Sequence, residues 1–344
     1  MTLPAPNAAA KSRLIWIDTA RGLGIILVVY AHVLRGQVTA KMLAPTPLEQ
    51  WQDHVIYAFH MPFFFFLSGL FAGSRAPLAT TLQRRFVTIV YPYFLWSIVQ
   101  VLLSMAAHDY ANRPQTLDNL IRITIAPVGQ FWFLYVLAIL QLLALLPRRL
   151  VYAMVPVGVF AAWLWGPGAM LMRAGSDLPF FAAGLFLGAR GLDERLGTTR
   201  RALACLILGS VLLGVSLYPI SLLEERAQFL ADYAPAVAGI VAMLGLARLI
   251  DGRIRLLPML GVASLAIFVL HVICGGAVRA GAAKLLIGHP AMLVIVVTLG
   301  GLLLPLAAFR AAASAHLTPW LGLGFAPASP ERIAATSESA HEAP

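Results

Sequence analysis

Asp18, Arg21 and His32 lie within one apolar run near the start of a 344-residue chain. Ionisable side chains are costly in hydrocarbon, so when they occur inside an apolar segment they usually face the interior of a bundle and mark a functional path. Arg21 and His32 are eleven residues apart, which on a helix is close to three full turns and about 16 Å of rise. They therefore share a face at different depths. An imidazole in that position can take the proton from a hydroxyl as the oxygen attacks, because its ordinary pKa lies near neutrality. Asp18, three residues before Arg21, is spaced to pair with it and lower the cost of the guanidinium. Gly22 and Gly24 thin the same helix and admit either a neighbouring backbone or a slender ligand. The plainer alternative is an interfacial ion pair and a packed histidine, but three such groups on one stripe argue for a reaction path.

Further candidates follow along the chain. In Phe59-His60-Met61-Pro62-Phe63-Phe64-Phe65-Phe66-Leu67-Ser68-Gly69, Pro62 removes a backbone donor and is expected to kink the helix near His60, opening that histidine to a wet cavity. Ser68 and Gly69 permit a bound ligand, although close helix packing is the commoner use of small residues. Arg84 and Arg85 precede Tyr91-Pro92-Tyr93; a guanidinium recognises phosphate through a planar fork of donors, and simple anchoring at the membrane surface accounts for the pair equally well. Gln130 and Trp132, in Gln130-Phe131-Trp132-Phe133, suit sugar stacking and also suit an interfacial aromatic belt. Arg173 and Asp177 are spaced as a helical pair that could bind an acceptor or stabilise the helix. His271 sits on an apolar stretch where a histidine is more often structural.

These residues need membrane helices to position them. Hydrophobic residues make up 60% of the chain and charged residues 12%, against roughly 25% charged in soluble domains. Apolar runs of spanning length predict helices near 14–36, 52–73, 86–107, 130–146, 150–166, 174–189, 202–220, 230–249, 258–278 and 290–310, an all-α polytopic bundle of about ten transmembrane helices. With the N-terminus inside, the inner segments collect about twice the Lys and Arg of the outer loops, which places both termini in the cytoplasm. Arg35 counts among the outer-loop residues in that reading. The expected organisation is a cytoplasmic segment over 1–13, one membrane domain over 14–316 and a disordered cytoplasmic tail over 317–344. A signal peptide is disfavoured by Asp18 and Arg21. The formal charge of +10 is scattered in small groups, so no basic face for nucleic acid is expected. Cys205 and Cys274 have no partner at useful spacing, and no cluster suggests a metal.

The run Trp16-Ile17-Asp18-Thr19-Ala20-Arg21-Gly22 ending in Tyr30-Ala31-His32, with the Phe59–Gly69 segment, resembles the membrane acyltransferase-3 family and within it the fucose 4-O-acetylase-like branch. The likeness continues through Arg84-Arg85, Tyr91-Pro92-Tyr93, Gln130–Leu134, Leu178-Pro179-Phe180-Phe181 to Gly184, and His271. It implies about ten helices, acetyl-CoA as cytoplasmic acyl donor without a metal, and a glycan or lipid-linked sugar as acceptor among membrane lipids, in a bacterial cytoplasmic (inner) membrane. The family's Arg and His eleven positions apart map onto Arg21 and His32. Its two arginines three apart map only in part, since Val87 follows Arg84 at that distance, and its Ser-Gly-Phe reads Ser68-Gly69-Leu70. No additional esterase-like domain is expected in the short tail. On this reading His32 is the base or acyl relay, Asp18 orients Arg21, His60 assists proton transfer or binds acceptor, Arg84, Arg85 and Ser68 contact the donor, and Gln130, Trp132, Arg173, Asp177 and His271 line the acceptor side. A glycolipid transporter or flippase is the rival; it would call for repeated broken helices and a midplane carboxylate, neither of which the sequence offers convincingly.

Overall fold

A computed structural model describes residues 14–73, 76–106, 115–220, 223–286 and 288–325, and every regular element among them is helical. The expected segment over 1–13 and the tail beyond residue 325 lie outside the described residues. Seven helical stretches among the described residues are long and apolar enough to cross a bilayer: 15–39, 78–106, 170–195, 199–217, 225–250, 264–282 and 290–314. A shorter apolar stretch spans 129–143. The chain divides into two compact units, one from residues 1–76 and 135–261, the other from 77–134 and 262–344.

In the first unit, α1 (Ile15–Thr39) is one unbroken helix. It contains no proline, and its first-turn carboxylate, Asp18, complements the positive end of the helix dipole. α2 (Pro47–Gly69) starts five residues earlier than the apolar run suggests, because Thr46 and Glu49 form a capping box and Pro47 occupies the first turn. It runs through Pro62 as one helix. α7 (Arg148–Trp165) and α8 (Met170–Arg195) are separated by a turn at Gly166, whose φ of 78° needs glycine. α9 (Thr199–Ile220), α10 (Glu225–Ala231), α11 (Tyr233–Ile250) and α12 (Leu256–Val262) follow. α11 packs against α9, α2 and α1, while α2 packs against α8 and α8 against α7. α9 leaves Ile207, Leu208, Val211, Leu212 and Val215 exposed, a contiguous apolar face suited to lipid.

Two backbone contacts fix the inside of this unit. A Cβ on Gly261 would lie 1.8 Å from the Asp18 carbonyl oxygen, and one on Gly22 would lie 2.0 Å from that of Leu257. The start of α1 therefore presses main chain to main chain against α12, which decides between the two uses of Gly22: it admits a neighbouring backbone. Gly69 and Gly184 do the same for α2 and α8, each with a would-be Cβ 2.1 Å from the carbonyl of Phe181 or Phe66.

In the second unit, α3 (Leu78–Arg85) leads through a π-helical turn over Phe86–Val90 into α4 (Tyr91–Ala106). α5 (Leu117–Arg122) and a 3-10 turn over Gly129–Phe131 precede α6 (Trp132–Leu143), which continues into the first unit. The helix expected over 258–278 is instead two pieces, α12 and α13 (Ser264–Ala282), and α13 packs along α14 (Pro290–Ser314). Packed chain continues past 317, where the expected tail begins. Thr318 and Leu323 are buried, Tyr91 donates to the Trp320 carbonyl at 2.5 Å, and Trp96 donates to that of Leu321 at 3.0 Å.

Replacing Gly261 with alanine forces a methyl into the Asp18 backbone, and overpacking of this kind costs roughly 1–3 kcal/mol. Thermal unfolding of purified Gly261→Ala in detergent is expected well below wild type, while Gly276→Ala, where a Cβ meets nothing within 4 Å, stays close to it. Equal behaviour of the two variants would contradict the contact.

Candidate active site

The half of the α1–α2 seam toward Thr39 gathers polar side chains from both helices. His32 is half-buried, with its ring centre 6.4 Å from that of Tyr57, and Tyr57 meets the His60 ring edge-on at 4.7 Å. His60 is 1% exposed. Nδ1 of His32 lies 2.8 Å from the Val28 carbonyl, and Nδ1 of His60 lies 2.8 Å from that of Ile56. A carbonyl oxygen can only accept, so in each ring Nδ1 carries the hydrogen and the neutral imidazole holds its lone pair on Nε2. One turn beyond His32, Arg35 grips Asp53 through two bonds, Nε to Oδ1 at 2.7 Å and Nη2 to Oδ2 at 2.8 Å, and its guanidinium lies 3.1 Å from the Tyr57 ring centre. Tyr30 donates to Gln52 Oε1 at 2.6 Å.

At the other end of α1, Arg21 Nη1 is 3.4 Å from Asp18 Oδ1, a long contact, and the guanidinium stands 5.0 Å from the Phe71 ring centre, within cation–π range. Arg21 and His32 thus meet the same stretch of chain, α2 and the turn that follows it. Trp16 Nε1 donates to Asp193 at 2.8 Å, and Thr19 Oγ1 to Asp251 at 3.2 Å, so the first turn is tied on several sides. Ser68 is half-buried beside Gly69, whose closeness to α8 is helix packing. On α8, Asp177 is buried and Arg173, one turn earlier, is half-buried. Tyr233 stacks on Phe180 at 5.5 Å and donates to the Ser176 carbonyl at 2.8 Å.

The second unit holds the remaining candidates. Arg84 is exposed and Arg85 half-buried at the end of α3, where the π-helical turn begins; such bulges often mark functional sites. Gln130 is buried and exchanges amide hydrogen bonds with Gln100, at 2.8 Å and 3.4 Å. Phe131 and Phe133 both pack on Phe268, 6.4 Å and 5.4 Å away, and Phe268 lies 6.1 Å from the His271 ring. Trp132 is half-buried and meets Phe133 edge-on at 6.4 Å. His271 Nδ1 contacts the carbonyls of Phe268 and Ile267 at 2.7 Å and 3.1 Å. Trp132 and His271 are therefore linked through Phe133 and Phe268, Gln130 is paired with Gln100, and His32, His60, Arg173 and Asp177 belong to the first unit. Among the described residues no three His, Cys, Asp or Glu side chains gather as metal ligands would.

Against this geometry, a family model described as an acyltransferase domain matches residues 14–310. The chain belongs to the acyltransferase-3 family. It is similar to nodulation protein NolL of Sinorhizobium fredii (strain NBRC 101917 / NGR234), with 26% identity over 215 residues, covering 57% of this chain and 54% of that protein. The chain thus spans about half the length of the curated relative it matches. No solved structure matches it. With its apolar helices, it is a membrane member of an acyltransferase family.

Arg35, Asp53, Tyr57 and Gln100 escaped the sequence reading of this acyltransferase-3 chain. Arg35 lies at the predicted helix end and passes for a loop charge, whereas α1 continues to Thr39. A usable signal existed on α2, where Asp53, Tyr57 and His60 follow at intervals of four and three and so share one face.

The Gln100–Gln130 exchange gives a direct check of the second unit. Gln130→Leu strands the Gln100 amide and is expected to destabilise by about 1–3 kcal/mol, whereas the double variant Gln100→Leu/Gln130→Leu recovers most of that loss in thermal unfolding. Additive losses would contradict the pairing.

Proposed function

We propose that the protein is a membrane O-acyltransferase, on the pattern of the fucose 4-O-acetylase-like branch, that moves acetyl from cytoplasmic acetyl-CoA to a sugar hydroxyl of a glycan or lipid-linked saccharide. The observation that carries this reading is His32: a half-buried imidazole whose Nδ1–H is held by the Val28 carbonyl, leaving Nε2 as its basic nitrogen on the α1 face that also bears Arg21. Family membership over residues 14–310 supports the reaction class.

In the transfer step, the acceptor hydroxyl gives its proton to His32 Nε2 as its oxygen bonds to the thioester carbonyl carbon. The carbon–sulfur bond then breaks, and the leaving thiolate takes the proton from the imidazolium. Atoms and charge balance, and the imidazole returns to its starting state. Arg21, oriented by Asp18, and the guanidinium groups of Arg84 and Arg85 suit the donor's phosphates, with Ser68 also assigned to the donor. His60 assists that proton transfer or binds the acceptor, and Arg173, Asp177, Gln130, Trp132 and His271 are assigned to the acceptor.

Ten crossings follow if α2, the 129–143 stretch and α7 span the bilayer together with the seven longer stretches. Both termini are then cytoplasmic, in a bacterial inner membrane.

Substituting His32→Ala is expected to lower acetyl transfer by roughly 10²–10⁴-fold, the usual contribution of general acid–base catalysis, at normal membrane levels. Mass spectrometry of surface glycans from cells with wild-type, variant or no protein reads the outcome. Glycans that gain acetyl with the wild type and lose it with the variant support the proposal, and full acetylation by His32→Ala overturns it.

A further inference from the structure

We propose that the Thr39 end of the α1–α2 seam is the acceptor subsite, built to grip a neutral, polyhydroxylated saccharide and turn one hydroxyl toward His32 and His60. This rests on the acyl-transfer reading above and names the substrate class of that site.

Three observations converge. First, polar groups line both walls in register: His32 and Arg35 are one turn apart on α1, facing Asp53, Tyr57 and His60 on α2. Their exposure falls along the stripe, from 51% for the Arg35 side chain and 25% for that of Asp53 to 1% for His60. A polar lining that grades from open to closed is a way in for a polar ligand, and charged groups at its mouth require water rather than lipid tails.

Second, the Arg35 guanidinium at the mouth is already compensated. Its two-pronged bond to Asp53 pairs it with a carboxylate, so an anionic ligand gains little from it. What remains, besides the contact of Arg35 with Tyr57, are guanidinium N–H donors beside the remaining carboxylate lone pairs. Adjacent donors and acceptors of this kind suit vicinal hydroxyls, each of which both donates and accepts. The Tyr30–Gln52 pair adds an amide and a further hydroxyl to the same end.

Third, the foot of the stripe is unsatisfied. His60 Nε2 is buried with no hydrogen-bond partner among the described residues, and its lone pair is fixed there by the Nδ1–H bond to Ile56. A buried acceptor without a donor is unfavourable unless a ligand supplies one, and a sugar hydroxyl does so. The Tyr57 ring, held under Arg35 and against His60, separates the mouth from the foot.

The test uses the full-length protein in lipid nanodiscs, with acetyl-CoA and two oligosaccharides of equal length, one neutral and one bearing uronate carboxylates. Asp53→Asn and, as a second variant that keeps the ion pair, Gln52→Leu are each expected to lower acceptor kcat/KM roughly tenfold, carried by a higher acceptor KM. The acetyl-CoA KM should not move, and the wild type should prefer the neutral oligosaccharide. A fall in kcat at constant acceptor KM, a parallel rise in both KM values, or preference for the uronate would overturn the subsite. Transfer to neither oligosaccharide by the wild type would instead bring down the acyl-transfer reading itself, and this proposal with it.

Discussion

Along one face of α1 a guanidinium, an imidazole and a second guanidinium must be carried through helices that are otherwise apolar, and each needs a partner the bilayer cannot supply. The surrounding elements are arranged to meet that demand. Asp18 and the Phe71 ring take Arg21, Asp53 and the Tyr57 ring take Arg35, and backbone carbonyls one turn earlier take the Nδ1–H of His32 and His60. Because the helix's own carbonyls fix the protonated nitrogen, the neutral form of each imidazole carries its basic lone pair on Nε2. That assignment costs no side chain from elsewhere in the fold.

Holding α1 in register is a matter of close backbone contact. Gly22 and Gly261 let the first turns of α1 lie directly against α12, and Trp16 and Thr19 tie the same turns to Asp193 and Asp251. Gly69 and Gly184 dock α2 on α8 in the same manner. In a membrane, where burying apolar surface gives helices little reason to associate, such small-residue contacts and interhelical hydrogen bonds do most of the work. The second unit solves a separate problem with a different device, a reciprocal amide pair between Gln100 and Gln130 above a group of phenylalanines beside His271.

Much of this was legible in the sequence. The eleven-residue interval between Arg21 and His32 fixes their shared face as long as the helix is unbroken, and α1 runs without a break from Ile15 to Thr39. The Asp18–Arg21 contact follows from spacing alone. Hydropathy locates apolar runs well but not their ends: α2 begins at a capping box rather than at its apolar run, and the break between α12 and α13 falls inside continuous hydrophobic sequence. Arg35 was hidden because a charge near a predicted terminus reads as loop. Its function in the seam depends on Asp53, eighteen residues away and on the next helix, a pairing that helical spacing within one segment cannot disclose. The use of Gly22 was open for a similar reason, since thinness of a helix says nothing of whether chain or ligand fills the space.

The central claim is that Arg21 and His32 both face the α2 side of α1, forming one seam. Thiol cross-linking in native membranes tests it most directly, in a background with Cys205→Ala and Cys274→Ala. His32→Cys paired with Tyr57→Cys, and Arg21→Cys paired with Phe71→Cys, should each join readily through a short bifunctional thiol reagent. Failure of either pair while its two cysteines react singly would show that the side chains diverge and would contradict the account.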